Sequence, residues 1–418
     1  MRSKVYLIIG VLVMGLVACN LAQLTTIATG TPVPVANSPT PVANTPISII
    51  ASPTPMPTDT NMPLPTPPGV PVVSSPALVH ISFQDASHGW GVASDGSGSI
   101  LRTVDGGTTW QNVTPPGLTG IGLTTGLSVL DLNTAWVLVP NADFFTGLLY
   151  HTTDAGLTWT SVDAPFGGGY LQFLDLSTGL ALADRSAAAG SQGVEMFQSS
   201  DGGATWLSVF NDDPNRADSS NSLPLGGIKN GMTFLDANNG WVTGSRPVDG
   251  EVYLFATNDG GIDWAMQNIP LPAGYAAYQY LPQAPVFFGN DGFLPLIIDL
   301  STTTVLTFYT THDGGATWTG NPTNVSSLVA PGHYAFADAL NGWCWDGSTN
   351  LYVTTDGALT WTKIATSLNL GDRLSQLEFV PGASGGFIGW ALTGLDDAGH
   401  TQLYKTTDNG STWTPLIP

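Results

Sequence analysis

From residue 77 onward, short apolar runs alternate with clusters of Asp, Gly, Ser and Thr. The first unit reads as a strand over Leu78 to Phe83, a turn, a strand over Trp90 to Ala93 and a loop. A third strand over Ser99 to Val104, a turn and a fourth strand over Trp110 to Val113 complete it. Runs this short, bounded by turn formers, predict antiparallel strands rather than helices.

The unit recurs. After each third strand stands a box that begins with Asp and ends with Trp. The boxes run Asp105 to Trp110, Asp154 to Trp159, Asp201 to Trp206, Asp259 to Trp264, Asp313 to Trp318, Asp356 to Trp361 and Asp408 to Trp413. Two residues before each Asp is a hydroxyl residue: Thr103, Thr152, Ser199, Thr257, Thr311, Thr354 and Thr406. The spacing suits a turn whose carboxylate accepts hydrogen bonds from its own backbone N–H groups, with a Gly two residues on supplying positive φ. Ala358 replaces that Gly in the sixth box, which predicts a strained or altered turn, and Asp263 stands where the other boxes have Thr before Trp.

A second element lies upstream of each box. Phe83-Gln84-Asp85 leads to Gly89-Trp90, Phe234-Leu235-Asp236 to Gly240-Trp241, and Phe336-Ala337-Asp338 to Gly342-Trp343. Degenerate copies end at Trp136, Leu180, Phe293 and Trp390. The two elements hold 12 of the 13 tryptophans, so these rings are expected in the core rather than as ligand platforms. Seven units of about 49 residues with four short strands each predict an all-β fold, a seven-bladed β-propeller of four-stranded antiparallel blades over residues 77–418. Few residues follow Trp413, so the last outer strand is short, and the segment from Val70 to Ser75 is a candidate to pair beside it.

The chain before the repeats differs in kind. Arg2 and Lys4 precede an apolar run from Val5 to Val17, the pattern of a secretory leader over residues 1–18 and too short to span a bilayer comfortably. Residues 19–76 form a linker with 14 prolines after Cys19, rich in Thr and Ser, which predicts a semi-rigid polyproline spacer of up to roughly 180 Å.

Composition narrows the partners. Ten basic residues stand against 31 acids, a formal charge of −21, which disfavours nucleic acid. Since 28 of those acids are Asp, much of the charge is expected to be turn chemistry. The cysteines, Cys19 and Cys344, show no metal-ligand spacing, and Cys344 reads as a buried strand residue. The six histidines are scattered, and no phosphate loop or nucleophile elbow occurs. Neither a metal nor another cofactor is expected.

Two resemblances follow from these residues. Leu16-Val17-Ala18-Cys19 resembles a bacterial lipobox, which implies cleavage before Cys19, lipidation of its sulfur and an extracytoplasmic chain anchored to the membrane by lipid alone. The paired elements resemble the BNR or Asp-box repeat, most like the photosystem II stability and assembly factor-like propellers. That likeness implies the propeller fold. For function it implies little, because sialidases, xyloglucanases and sortilin-like receptors share the box.

A sialidase-like site would need three arginines clamping a carboxylate, and Arg102, Arg185, Arg216, Arg246 and Arg373 do not form that pattern. A two-carboxylate glycosidase draws on the loop acids Asp212, Asp213, Asp218, Asp249, Glu251, Asp396 and Asp397, which equally suit solvated loops. The boxes occupy one face, so functional loops are expected on the other, where long insertions follow blades three and four. Tyr275, Tyr278, Tyr280, Arg216, Asp212 and Asp213 in those insertions are the candidate ligand-binding residues; packing of the tyrosines within their own loop is the competing possibility. The expected function is a non-catalytic, monomeric surface propeller that recognises a protein or glycan. The alternatives are an extracellular glycoside hydrolase and an assembly factor-like chaperone of a membrane complex.

Overall fold

Six of the seven boxes close through the same bonds. In the first, Thr109 donates its backbone N–H to Asp105 Oδ1 at 2.9 Å and its hydroxyl to Asp105 Oδ2 at 2.7 Å, while Gly107 N–H donates to Thr103 Oγ1 at 2.8 Å. The seventh repeats this with Thr412, Asp408, Gly410 and Thr406. Ala358, expected to strain its turn, has φ 64°, and Ala155 and Asn409 hold φ of 62° and 60° one position earlier in their boxes. Asp263, lacking the Thr hydroxyl, keeps only the backbone bond to Asp259, at 3.0 Å.

These turns join seven antiparallel sheets in a computed structural model that describes residues 69–416, apart from Ser97, Ala189, Thr302, 321–324, 329–332, Ser348, Asp372 and Ser384. The leader, Cys19 and the linker through residue 68 lie outside the described residues. Among the described residues there is no helix. The chain is a seven-bladed propeller, and every blade has strands A to D in spatial order. Blade one uses Leu78–Phe83, Gly89–Ala93, Ser99–Thr103 and Trp110–Asn112, close to the expected bounds. In blade five, strand A is split into Gln279–Pro282 and Val286–Phe288, and strand D into Thr319–Gly320 and Val325–Leu328. Pro285, in the gap of strand A, has no N–H for a ladder.

The second element builds the seams between blades. The Phe83 ring covers Gly89, its cross-strand partner, where a Cβ would come within 2.7 Å of Cδ1. The other face of Phe83 stacks on Trp390 of blade seven at 3.7 Å, and its edge meets Trp110 of its own box. Phe173 stacks likewise on Trp136, Phe336 on Phe293 and Phe379 on Trp343. The tryptophans thus lie in the core or pack against it, Trp159, Trp206 and Trp361 being partly buried, and Cys344 is fully buried, its thiol pushed up by burial.

Closure differs from the expectation. Val72–Val73 pairs with Trp110 and Gln111, adding a fifth strand to blade one instead of lying beside the last outer strand. Strand A of blade seven meets strand A of blade one through side chains: Ile81 N–H donates to Gln376 Oε1 at 3.0 Å and Phe83 N–H to Glu378 Oε2 at 2.9 Å.

Candidate functional site

Blade three extends beyond the repeat on the face away from the boxes. Its strands B and C, Gly179–Ala188 and Ser191–Ser199, run well past their counterparts in blade one, and its strand D ends at Asn211 before a long insertion. Hairpin and insertion enclose a rim cleft of about 520 Å³, lined among others by Arg185, Glu195, Asp212, Asp213 and Arg216.

Glu195 organises one side. Arg185 Nε donates to its Oε2 and Arg216 Nη1 to its Oε1, each at 2.8 Å, and Ser208 Oγ donates to Oε1 at 2.6 Å. Burial raises the Glu195 pKa, but these donors outweigh it and hold the carboxyl below its ordinary range. Arg185 also donates to the carbonyls of Phe145 at 3.0 Å and Pro165 at 2.9 Å, tying blade three to blade two. Arg216 forks onto Asp218 at 2.7 and 3.0 Å.

Lys229 organises the other side. Its fully buried ammonium donates to the carbonyls of Gln192 at 2.6 Å and Pro224 at 2.8 Å, and Asp212 Oδ2 lies 3.7 Å away. Burial pushes Lys229 down to about 8, partly offset by Asp212 and Asp184, and burial raises both of those acids. The register pairs Ala183 with Glu195 and Asp184 with Val194, so Asp184 and Glu195 leave the hairpin on opposite sides.

Other candidates are engaged elsewhere. Tyr280 is buried and donates its hydroxyl to Tyr275 O at 2.7 Å; Tyr275 and Tyr278 are half-buried, their rings 6.0 Å apart. The three tyrosines thus pack on the seam of blades four and five, and none of them lines the rim cleft. Asp213 Oδ1 accepts from Asn215 N–H at 2.9 Å. Glu251 is bound by Arg246, and Asp396 accepts from the N–H groups of Ala398 and His400. A larger groove of about 650 Å³ lies on the box face between blades four and five. Its polar groups serve the seam and turns: Gln267 bonds Trp241 and Gly315, and Asp313 bonds Thr317. Among the described residues no three His, Cys, Asp or Glu side chains are grouped to hold a metal.

No family model matches the chain. A xyloglucanase from a Paenibacillus species is 28% identical over 281 residues, covering 58% of this chain and 25% of that protein. The chain therefore spans about a quarter of that relative's length. The structure of YCF48 bound to D1 peptide superposes with a TM-score of 0.51 at 16% identity, covering 81% of this chain and 95% of the other. A GH74 xyloglucanase from Xanthomonas campestris is similar at 15% identity with a TM-score of 0.38, over 83% of this chain and 46% of that one. A BNR-like propeller fits.

The expectation of a non-catalytic chain is corrected by the first of these relatives, which is itself a hydrolase. Two features of the rim escaped the sequence. Glu195 sits in strand C and carried no motif, although Glu is rare in this chain. Phe144 and Phe145, between strands B and C of blade two, are about half exposed. A Phe-Phe pair in a loop outside the repeat was the available signal.

Proposed function

We propose that the chain works on a neutral polysaccharide outside the cell, gripping it at the rim cleft of blade three. The observation that carries this is the cleft, where Arg216, Asn215 and Ser186 offer exposed polar groups above the buried Glu195. Few polar groups converging in a concave site beside apolar surface suit a ligand of many hydroxyls. A formal charge of −21 favours an uncharged glycan over a polyanionic one. The xyloglucanase relative supports the same class, and the leader with Cys19 supports a lipid-anchored place where such a polymer would be met.

Retention by soluble polysaccharides in native gels tests the reading, with xyloglucan, mixed-linkage glucan and polygalacturonate compared. Retention by a neutral polymer and not by polygalacturonate is expected, and release of reducing ends from the retained polymer would add hydrolysis. No retention by either neutral polymer overturns it. Arg216→Ala is expected to weaken retention at least tenfold.

A further inference from the structure

We infer that Phe144 and Phe145 form an aromatic platform on which a pyranose ring of that polysaccharide stacks, beside the rim cleft. The inference rests on the proposed glycan function and names where the polymer's apolar face is read. The loop joins strands Ala135–Pro140 and Gly147–Thr152 of blade two, and Phe144 and Phe145 are 48% and 49% exposed. Phe144 has φ 59°, a left-handed conformation that a bulky residue adopts only when its surroundings enforce it.

The enforcement is visible. Asp143 Oδ1 accepts from Phe145 N–H at 3.0 Å and Thr146 N–H at 3.1 Å. Asn141 N–H donates to Thr146 O at 2.8 Å, and Phe144 N–H donates to Asn141 O at 3.0 Å. Beneath the loop, a Cβ at Gly167 would overlap Thr146 O, so only glycine lets the loop seat against the connector from blade two to blade three. Arg185 then fastens Phe145 O to Glu195, within the cleft lining.

A strained loop that holds two aromatic rings in water is built for contact. The fold would be served as well by polar residues there. Phenyl rings without hydroxyls match the C–H face of a sugar, while the adjoining cleft offers polar partners to its hydroxyls. The exposed apolar surface here is two phenylalanines with polar groups nearby, the scale of a sugar chain rather than of a protein interface, which needs about 800 Å² per partner.

The test uses the full chain and isothermal titration with xyloglucan oligosaccharides and cellohexaose. Wild type, Phe145→Trp, the double variant Phe144→Ala/Phe145→Ala and Leu176→Ala, an exposed residue on the box face, are compared, with thermal melts to check folding. At least a tenfold loss of affinity is expected for the double variant, wild-type affinity for Leu176→Ala, and retained affinity for Phe145→Trp. A folded double variant that binds within twofold of wild type overturns the platform while leaving the glycan function standing. A wild-type chain that binds neither sugar overturns both.

Discussion

Trp390 donates its indole N–H to the carbonyl oxygen of Gly106 at 2.9 Å, across 284 residues of chain. The donor lies in strand B of blade seven and the acceptor in the first box, so this bond fastens the end of the chain to its beginning. Trp136 does the same to Gly202, and Trp343 to Asn409, each at 2.9 Å. In these three seams the recurring spacing of the two elements thus encodes a contact between neighbouring blades: the Trp of one blade seats in the box of the next.

Replacing Trp390 separates stacking from hydrogen bonding. Trp390→Phe keeps a ring for Phe83 and is expected to cost about 1–2 kcal/mol through the lost bond and volume. Trp390→Ala is expected to cost about 3–5 kcal/mol. Urea denaturation followed by tryptophan fluorescence and far-UV circular dichroism measures both.

Gly89→Ala places a methyl group against the Phe83 ring, 2.7 Å from Cδ1. The ring cannot retreat, because its far face lies on Trp390. A loss of about 1–3 kcal/mol is expected. The double variant Gly89→Ala/Phe83→Leu should lose less than the sum of the single changes, which a double-mutant cycle would show.

The pH dependence of the closing seam turns on Glu378. Burial pushes its carboxyl up to about 8, against the bonds from Phe83 N–H and Gln376 Nε2 that favour ionisation. In the seam between blades three and four the same place in strand A holds Gln172, which accepts from Phe234 N–H at 2.8 Å and donates to Phe234 O at 2.9 Å. The folded pKa lies above the unfolded one, so the native chain binds the extra proton. The stabilisation is complete below the unfolded pKa and is lost as pH rises through about 8. Glu378→Gln is expected to flatten that part of the stability profile between pH 5 and about 9, whereas an unchanged slope in chemical denaturation would place the titration elsewhere.

Lys229→Met removes the ammonium and leaves Asp212 buried with its Oδ2 lacking a hydrogen bond. A loss of about 3–5 kcal/mol is expected, and Lys229→Met/Asp212→Asn should recover part of it, since removing both charges ends the penalty for burying one alone. Guanidinium titrations at pH 7 measure each variant.

The fold was legible because its signals are local and sevenfold. The box carboxylate bonds N–H groups three or four residues away, so Asp105 and Asp408 announce their turns without knowledge of the rest of the chain. Strand bounds in blade one followed from those turns. The rim was far less legible, because its contacts are assembled across blades. Arg185 reaches Phe145 from 40 residues away, and Lys229 reaches Gln192 from 37. Tyr280 shows the opposite difficulty: a tyrosine in an insertion looks available, yet its hydroxyl is spent on a carbonyl five residues back. The placement of Val72–Val73 depended on which of two outer strands offered an open edge beside it, and spacing holds no information on that choice.

The side-chain seam between blades seven and one has a topological meaning. Every blade is folded from one uninterrupted stretch of chain, and no strand from one end completes a blade begun at the other. The ring therefore has no privileged opening point: chain ends relocated to any other connector, with the present ends joined, would leave all seven sheets whole. Blade order could be rotated by such a permutation, whereas the pairing of Trp136, Trp343 and Trp390 with the following box could not be altered without opening the circle.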